Sequence, residues 1–239
     1  MKGLVIALLF LTRLPMPRVQ VSDAEFAASM RWFPAVGLIL GALIAGGTWA
    51  GAQLDPWVGA LAGVALWVGL TGALHLDGLG DVADACGAAH KHRERVLEVL
   101  ADPHLGSFGA VAIGLQLLAK LILLHALVEA GGFVALLLLP FAARIGPLVW
   151  TCWLPDLHAG LASRFRNMVR PADLAIWAIA LVAGAWFAPA LLATPLLLLG
   201  WGFWLRAKLG GISGDGHGAG IEVTETGLLL ATLIVARLA

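Results

Sequence analysis

Six acidic side chains are concentrated in one stretch of the chain, residues 75–109. They are Asp77, Asp81, Asp84, Glu94, Glu98 and Asp102, out of fifteen acidic residues in all. The first three recur at i, i+4 and i+7, so a helix over residues 76–89 would present them on one face. Three carboxylates on one face of a helix repel each other, and a bound cation would relieve this repulsion. Carboxylate oxygen atoms are suitable ligands for a hard cation such as Mg²⁺. The spacing predicts that Asp77, Asp81 and Asp84 are metal ligands.

The same stretch allows a plainer interpretation, a solvated helix end whose carboxylates pair with Lys91, Arg93 and Arg95. Glu98 and Asp102 repeat the i, i+4 spacing, and they are candidates for a general base or for completing the metal site. Glu98 could equally be a salt-bridge partner of Arg95.

Two further polar features could contribute chemistry. His75 ends an apolar run directly before the first aspartate, where it could be a catalytic group or an interfacial hydrogen-bonding residue. The glycine-rich segment 210–218 contains Gly214 and Asp215, and its backbone N–H groups could approach phosphate oxygens. It lacks the pattern of a P-loop or a dinucleotide-binding loop, so a flexible turn is the alternative.

The composition identifies the class of protein that must position these residues. The chain is 60% hydrophobic and 13% charged, with a mean hydropathy of +0.92, whereas about a quarter of the residues in soluble domains are charged. The net charge is zero, so no basic field attracts nucleic acid. We expect an all-α, polytopic integral membrane helical bundle in a lipid bilayer.

Apolar runs give the predicted membrane segments. A retained, short or re-entrant stretch (3–11) comes first, and the predicted spans follow at 32–52, 57–74, 108–128, 133–150, 174–187, 191–205 and 227–239. Several approach the roughly 20 residues that a helix needs to cross a bilayer, and the last three are short. We expect about six to seven membrane segments in a single domain, 1–239. The sequence does not decide whether the chain forms a homo-oligomer.

Basic residues predict the orientation of this bundle. The connectors 13–31, 76–107, 152–173 and 206–226 contain eleven of the fifteen Lys and Arg residues, and the alternate connectors contain none. By the positive-inside rule the first set faces the cytoplasm. Cys86 and Cys152 are then expected to be reduced thiols on that side. Lys120 and Arg144 lie inside predicted spans, where they should face the bundle interior and pair with acids or ligand.

Several short motifs are spread along the chain: LHLDGLGDVAD (74–84), RER (93–95), DPHLGSFG (102–109), FLTRLP (10–15), RWFPAVG (31–37), LGGISGD (209–215) and the acids at 222–225. Together they resemble the cobalamin synthase family, the adenosylcobinamide-GDP ribazoletransferases. These segments cover nearly the whole chain in matching order. The family also resembles CDP-alcohol phosphotransferases in its reaction, although Asp81 and Asp84 fit only the first part of that motif.

This resemblance implies a Mg²⁺-dependent reaction in a bacterial inner membrane, with the site facing the cytoplasm. α-Ribazole, or its 5′-phosphate, would attack the cobinamide-linked phosphate of adenosylcobinamide-GDP and release GMP. Asp77, Asp81 and Asp84 would bind the metal, and Asp102, Glu98 and His75 are the candidate catalytic residues. The residues predicted to bind substrate are Arg13, Arg31, Arg95, Arg144, Gly214 and Asp215. For the connector arginines, a role in setting topology is the alternative.

Two other functions are weighed against this one. A CDP-alcohol phosphotransferase of phospholipid synthesis would share the fold type, but the motif is broken after Asp84. A cation transporter could use the three aspartates as a permeation site. Transporters place such acids near mid-membrane within discontinuous helices, whereas here they cluster at one predicted surface.

Overall fold

The computed structural model describes residues 2–88 and 94–238, and every regular element within them is helical. The helices are α1 (Lys2–Leu11), α2 (Asp23–Ser29), α3 (Phe33–Ala52), α4 (Pro56–Thr71), α5 (Leu74–Ala88), α6 (Glu94–Leu100), α7 (Ser107–Glu129), α8 (Phe133–Ala143), α9 (Gly146–Trp153), α10 (Leu161–Arg164), α11 (Pro171–Ala185), α12 (Thr194–Lys208) and α13 (Gly214–Leu238). Short 3₁₀ turns precede α3 and α12. The all-α fold class is confirmed.

Within the described residues, five helical segments are long and apolar enough to cross a membrane. They are Asp23–Ala52, Ser107–Glu129, Phe133–Trp153, Pro189–Lys208 and Gly214–Leu238. A sixth span results if α4 and α5, which meet at 85°, are counted as one broken span. The multi-pass helical membrane protein is confirmed. The helices α1 and α11 are also apolar but shorter.

The spans pack closely where glycine removes the side chain between them. Gly37 and Gly41 lie on α3 against the backbone of α8, and a Cβ atom at Gly37 would stand 2.6 Å from the Cα of Phe141. Small residues spaced in this way allow helix backbones to approach in a membrane. This contact holds α3 against α8, which is buried over most of its length.

A sharp turn between α4 and α5 sets the direction of α5, the helix that carries the predicted metal ligands. Gly72 and Ala73 both have φ of 60°, in the left-handed region, and together they turn the chain by 85° between α4 and α5. Such a conformation costs glycine little and an alanine more. The side chain of Arg13 packs against Gly72, and its backbone N–H donates to the carbonyl oxygen of Leu70 at 2.7 Å. The N-terminal segment therefore fastens the start of α5.

The last helix differs from the prediction. The glycine-rich segment was expected to be a polar connector up to residue 226, but it is helical from Gly214, so α13 runs unbroken to Leu238. The hydroxyl oxygen of Ser213 accepts a 3.0 Å hydrogen bond from the backbone N–H of Gly216, which caps the first turn. Residues 216–222 of α13 are largely buried. The glycines of this segment therefore allow close packing between helices.

Opposite charges pair in the interior and connect α7, α8 and α13. The Lys120 ammonium lies 2.7 Å from Glu222 and 2.8 Å from Glu225, and the guanidinium of Arg144 lies 2.8 Å from Glu225. Gln116 donates to the Glu222 carboxylate at 2.8 Å. The charged side chains are almost fully buried, and their charges sum to zero. The predicted interior pairing of Lys120 and Arg144 with acids is confirmed.

The four basic connectors meet at one end of the bundle. Arg164 pairs with Asp23 at 2.9 Å, joining the third connector to the first. The backbone N–H of Leu157 donates to the carbonyl oxygen of Ile212 at 2.9 Å, joining the third to the fourth. The second connector reaches the fourth where α5 crosses α13. The predicted grouping of these connectors at one end is therefore present in the structure.

We predict that Glu225→Gln destabilises the protein, because it leaves the charges of Arg144 and Lys120 incompletely neutralised in the bundle. Removing one partner of a buried ion pair typically costs about 3–5 kcal/mol. The free energy of unfolding, measured by titrating detergent-solubilised protein with a denaturing detergent, should fall by about 3 kcal/mol.

The matched control is Glu129→Gln, since that carboxylate is 60% exposed at the end of α7. It should change the free energy of unfolding by less than about 0.5 kcal/mol, as surface substitutions usually do. Equal effects of the two substitutions would contradict a structural role for the buried ion pairs.

Candidate functional site

The candidate site forms where α5 crosses the first turns of α13. A Cβ atom at Gly78 would stand 2.9 Å from both the Cα and the carbonyl oxygen of Asp215. One at Gly218 would stand 3.3 Å from the Cα of His75. The two backbones therefore touch at two successive points. The close approach requires glycine at both positions and fixes the register of one helix against the other.

This crossing brings together carboxylates that are far apart in the sequence. Asp77 and Asp215 line the same cavity. Asp81 is half-buried on α5, and the negative charges that act on it are those of Asp215, Asp77 and Asp84. The predicted helical stripe is confirmed as part of α5. Asp215, predicted only as a substrate-binding residue, joins the acidic group from the opposite helix.

Asp84 has a different environment from the other aspartates. Its two carboxylate oxygens accept hydrogen bonds from the backbone N–H groups of Gly106 at 2.8 Å and Gly109 at 2.9 Å. A Cβ atom at either glycine would collide with the Asp84 carboxylate. A carboxylate at a helix N-terminus is stabilised by the helix dipole and by the unpaired N–H groups. Asp84 therefore anchors the start of α7 to α5.

The carboxylates at the α5–α13 crossing suit a hard divalent cation, because Mg²⁺ prefers oxygen ligands. They do not, however, form a complete metal site. Over residues 2–88 and 94–238, no three His, Cys, Asp or Glu side chains lie close enough together to hold one ion. Asp77 and Asp81, with Asp215 opposite them, are the residues that would hold it. The metal-binding role of Asp77, Asp81 and Asp84 remains a prediction.

Glu98 and Asp102 lie apart from this group. Both are exposed, and neither contributes to the charges that act on Asp81. The Asp102 carboxylate receives a 2.7 Å hydrogen bond from the His104 ring and a second from its backbone N–H. These bonds hold the pKa of Asp102 below its usual range, which weakens it as a proton acceptor. The catalytic roles of Glu98 and Asp102 stay predictions.

The predicted arginines are dispersed. Arg13 lies exposed over the turn before α5, next to the site. Arg31 is half-buried and donates to the carbonyl oxygen of Ala28 at 2.8 Å, and Arg144 is enclosed by the bundle and paired with Glu225. The side chain of Arg95 lies outside the described part of the structure. Among the predicted arginines whose side chains the structure describes, Arg13 is the exposed one that lies against the turn leading into α5.

A cavity of about 150 Å³ opens beside the carboxylates. His75 and His217 lie in its wall with Asp77 and Asp215, and Gly214 lies at the N-terminus of α13 in the same wall. Sequence reasoning identified His75 but missed His217. The available signal was the position of His217 within the glycine-rich segment, two residues after Asp215.

The chain matches the model of the family described as cobalamin-5-phosphate synthase over residues 3–233. A relative from Novosphingobium aromaticivorans is 68% identical over 98% of this chain and 97% of its own length. Relatives from Thiobacillus denitrificans and Laribacter hongkongensis are 47% identical over 96% and 94%, and 51% identical over 100% and 99%, of the two chains. All three are named adenosylcobinamide-GDP ribazoletransferase. No solved structure matches, and the likeness to CDP-alcohol phosphotransferases is not confirmed.

We predict that Gly78→Ala separates α5 from α13, because the new methyl group would meet the Asp215 backbone rather than a flexible side chain. Overpacking of this kind typically costs about 1–3 kcal/mol. The melting temperature of the purified protein should fall by several degrees. Gly114→Ala is the control, since a Cβ atom there would meet nothing within 4 Å, and alanine favours the helix. Tolerance of both substitutions alike would contradict the backbone contact.

Proposed function

Because the chain belongs to the cobalamin-5-phosphate synthase family, we propose that it joins α-ribazole, or its 5′-phosphate, to the cobinamide phosphate of adenosylcobinamide-GDP. This enzyme, a transferase of cobalamin biosynthesis, would release GMP as the second product. The full-length identity to relatives of that name supports the assignment. Within the structure, the observation that carries it is the convergence of Asp77, Asp81 and Asp215 at the α5–α13 crossing.

In the proposed reaction, a ribose hydroxyl oxygen of α-ribazole forms a bond to the phosphorus attached to cobinamide. The bond from that phosphorus to the bridging oxygen of GMP breaks, and GMP leaves with the electron pair. A carboxylate takes the hydroxyl proton. Asp215 suits this role, since it borders the cavity and lies across the crossing from Asp77 and Asp81.

Phosphate recognition would use the groups around the mouth of the cavity. Gly214 begins a 25-residue helix, and the N–H groups of a helix N-terminus attract anions. Arg13 is exposed beside the turn that leads into α5, and a guanidinium can bind two phosphate oxygens at once. When bound by Asp77 and Asp81, Mg²⁺ would neutralise negative charge on the phosphoryl oxygens.

We further propose a bacterial inner-membrane location with the site facing the cytoplasm. The basic connectors support it, because they meet at the end of the bundle where the carboxylates lie. A site at that end would receive large, charged substrates directly from the aqueous phase. The substrates would not have to cross the bilayer.

The function is tested by incubating purified protein with adenosylcobinamide-GDP, α-ribazole and Mg²⁺ and measuring GMP. We predict GMP release by the wild type, its loss on chelation, and its recovery when Mg²⁺ is restored. Asp81→Asn should lower turnover by at least about 10²-fold, because it removes a charge from the centre of the acidic group.

The control for Asp81→Asn is Asp55→Asn. Asp55 caps α4 away from the site and accepts a hydrogen bond from the backbone N–H of Trp57. Asparagine caps helices as well as aspartate does, so this variant should keep wild-type turnover. A folded wild type that releases no GMP would overturn the proposed function, and full activity of Asp81→Asn would exclude Asp81 from the site.

The orientation is tested by cysteine labelling in a background in which Cys86 and Cys152 are replaced by serine. Gln53 lies in the turn between α3 and α4, and His104 lies in the connector before α7; both are exposed. We predict that a membrane-impermeant maleimide labels Gln53→Cys in intact spheroplasts and labels His104→Cys only after permeabilisation. The reverse pattern would show that the site faces the periplasm.

A further inference from the structure

The cavity beside the carboxylates has an aromatic wall for which the proposed reaction gives no use. Phe10, Phe33 and Phe165 come from α1, α3 and the residue after α10, and their ring centroids lie 5.8–6.2 Å apart. Leu11 and Ala162 complete this side of the cavity. Three distant segments of the chain therefore assemble one apolar, aromatic surface. It adjoins the carboxylates of α5 and α13.

We propose that this cavity binds the base of α-ribazole, a flat bicyclic benzimidazole ring with two methyl groups. The inference rests on the proposed function and deepens it, since it assigns one substrate to one part of the site. Aromatic side chains favour edge-to-face or offset contacts with another ring. The phenylalanines of this wall offer such contacts from more than one direction.

The size of the cavity agrees with a ring system of this kind. Its volume is about 150 Å³, and an apolar cavity of that size in another protein stays dry and binds benzene. The six-membered, methylated part of the base would fill the apolar interior. The remainder of the base and the ribose would then extend towards the mouth of the cavity.

Two buried histidines supply the polar contact that such a base needs. His217 is 7% exposed; its Nε2 lies 3.4 Å from the Thr151 hydroxyl, and its Nδ1 has no partner among the described residues. His75 is 3% exposed, and its Nε2 likewise lacks a partner in the described chain. A benzimidazole riboside has a single free ring nitrogen, which accepts one hydrogen bond. One imidazole N–H would satisfy it.

This lining suits the base of α-ribazole better than the guanine of the second substrate. Guanine has several donors and acceptors on its edges, and each would need a partner once buried. The phenylalanines, Leu11 and Ala162 offer none, so every polar group of guanine would depend on the few polar side chains of the cavity. A base with one free ring nitrogen makes a smaller demand on them.

A base bound in this cavity would also position the ribose of α-ribazole relative to the carboxylates. Asp77 and Asp215 border the cavity that the base would occupy. A ribose attached to a base held in the interior would present its hydroxyl groups at these carboxylates. Holding a nucleophile beside its base in this way lowers the entropic cost of reaction.

The test is Ala162→Phe, which places a large side chain in the cavity wall, where Ala162 is 6% exposed. Equilibrium binding of α-ribazole, measured by calorimetry without the second substrate, should weaken roughly tenfold or more, as overpacking implies. The KM for α-ribazole should rise in proportion, and the KM for adenosylcobinamide-GDP should not change. Ala178→Phe, on the exposed face of α11, is the matched control and should behave as wild type.

A second measurement uses the unaltered protein, in case Ala162→Phe does not fold. The α-riboside of unsubstituted benzimidazole lacks both methyl groups, so it would bury less apolar surface in the cavity. Wild type should bind this probe roughly tenfold more weakly than α-ribazole. Equal affinity for the two ribosides would overturn the inference.

The outcomes separate this inference from the proposed function. If wild type releases GMP but folded Ala162→Phe binds α-ribazole as tightly as wild type, the base binds elsewhere and the proposed function stands. If wild type binds no α-ribazole and releases no GMP, both are overturned. Weakened binding confined to Ala162→Phe and to the demethylated probe supports the cavity as the site of the base.

Discussion

The buried charges of α13 set the position of the last helix, and the rest of the site depends on that position. Glu222 and Glu225 have their counter-charges at Lys120 on α7 and at Arg144, the residue that follows α8. A carboxylate without a partner in the low-dielectric interior is costly, so α13 can neither slide nor rotate without separating charges. The first turns of α13 are thereby held at a fixed depth and rotation.

That placement explains why the site consists of residues from opposite ends of the chain. The glycines at 78 and 218 let α5 and α13 touch backbone to backbone, so Asp215 faces the aspartates of α5. Asp84, also on α5, holds the start of α7 by accepting hydrogen bonds from two backbone N–H groups there. The carboxylates at the crossing remain close in spite of their repulsion, because the packing around them is rigid.

Much of this follows from the sequence, and the reasons for the exceptions are physical. The apolar runs and basic connectors indicated a multi-pass helical bundle, and the i, i+4, i+7 spacing placed Asp77 and Asp81 on one face. Gly214 to Glu225 was misinterpreted as a connector, because glycine disfavours helix locally and tertiary packing overrides that preference. The aromatic wall was missed because nothing in the sequence distinguishes Phe10 and Phe165 from other apolar residues. They become neighbours only when distant segments of the chain fold together.

The long separation of the interior ion pairs in the sequence has a consequence for biogenesis. Arg144 and Lys120 lie 81 and 105 residues before Glu225, so both cations are synthesised and inserted well before their partner exists. Each unpaired cation near the centre of a span costs about 2.5–3.5 kcal/mol on insertion scales. The nascent bundle is therefore incomplete until its final helix arrives, and a ribosome that stops before α13 leaves a chain without a finished site.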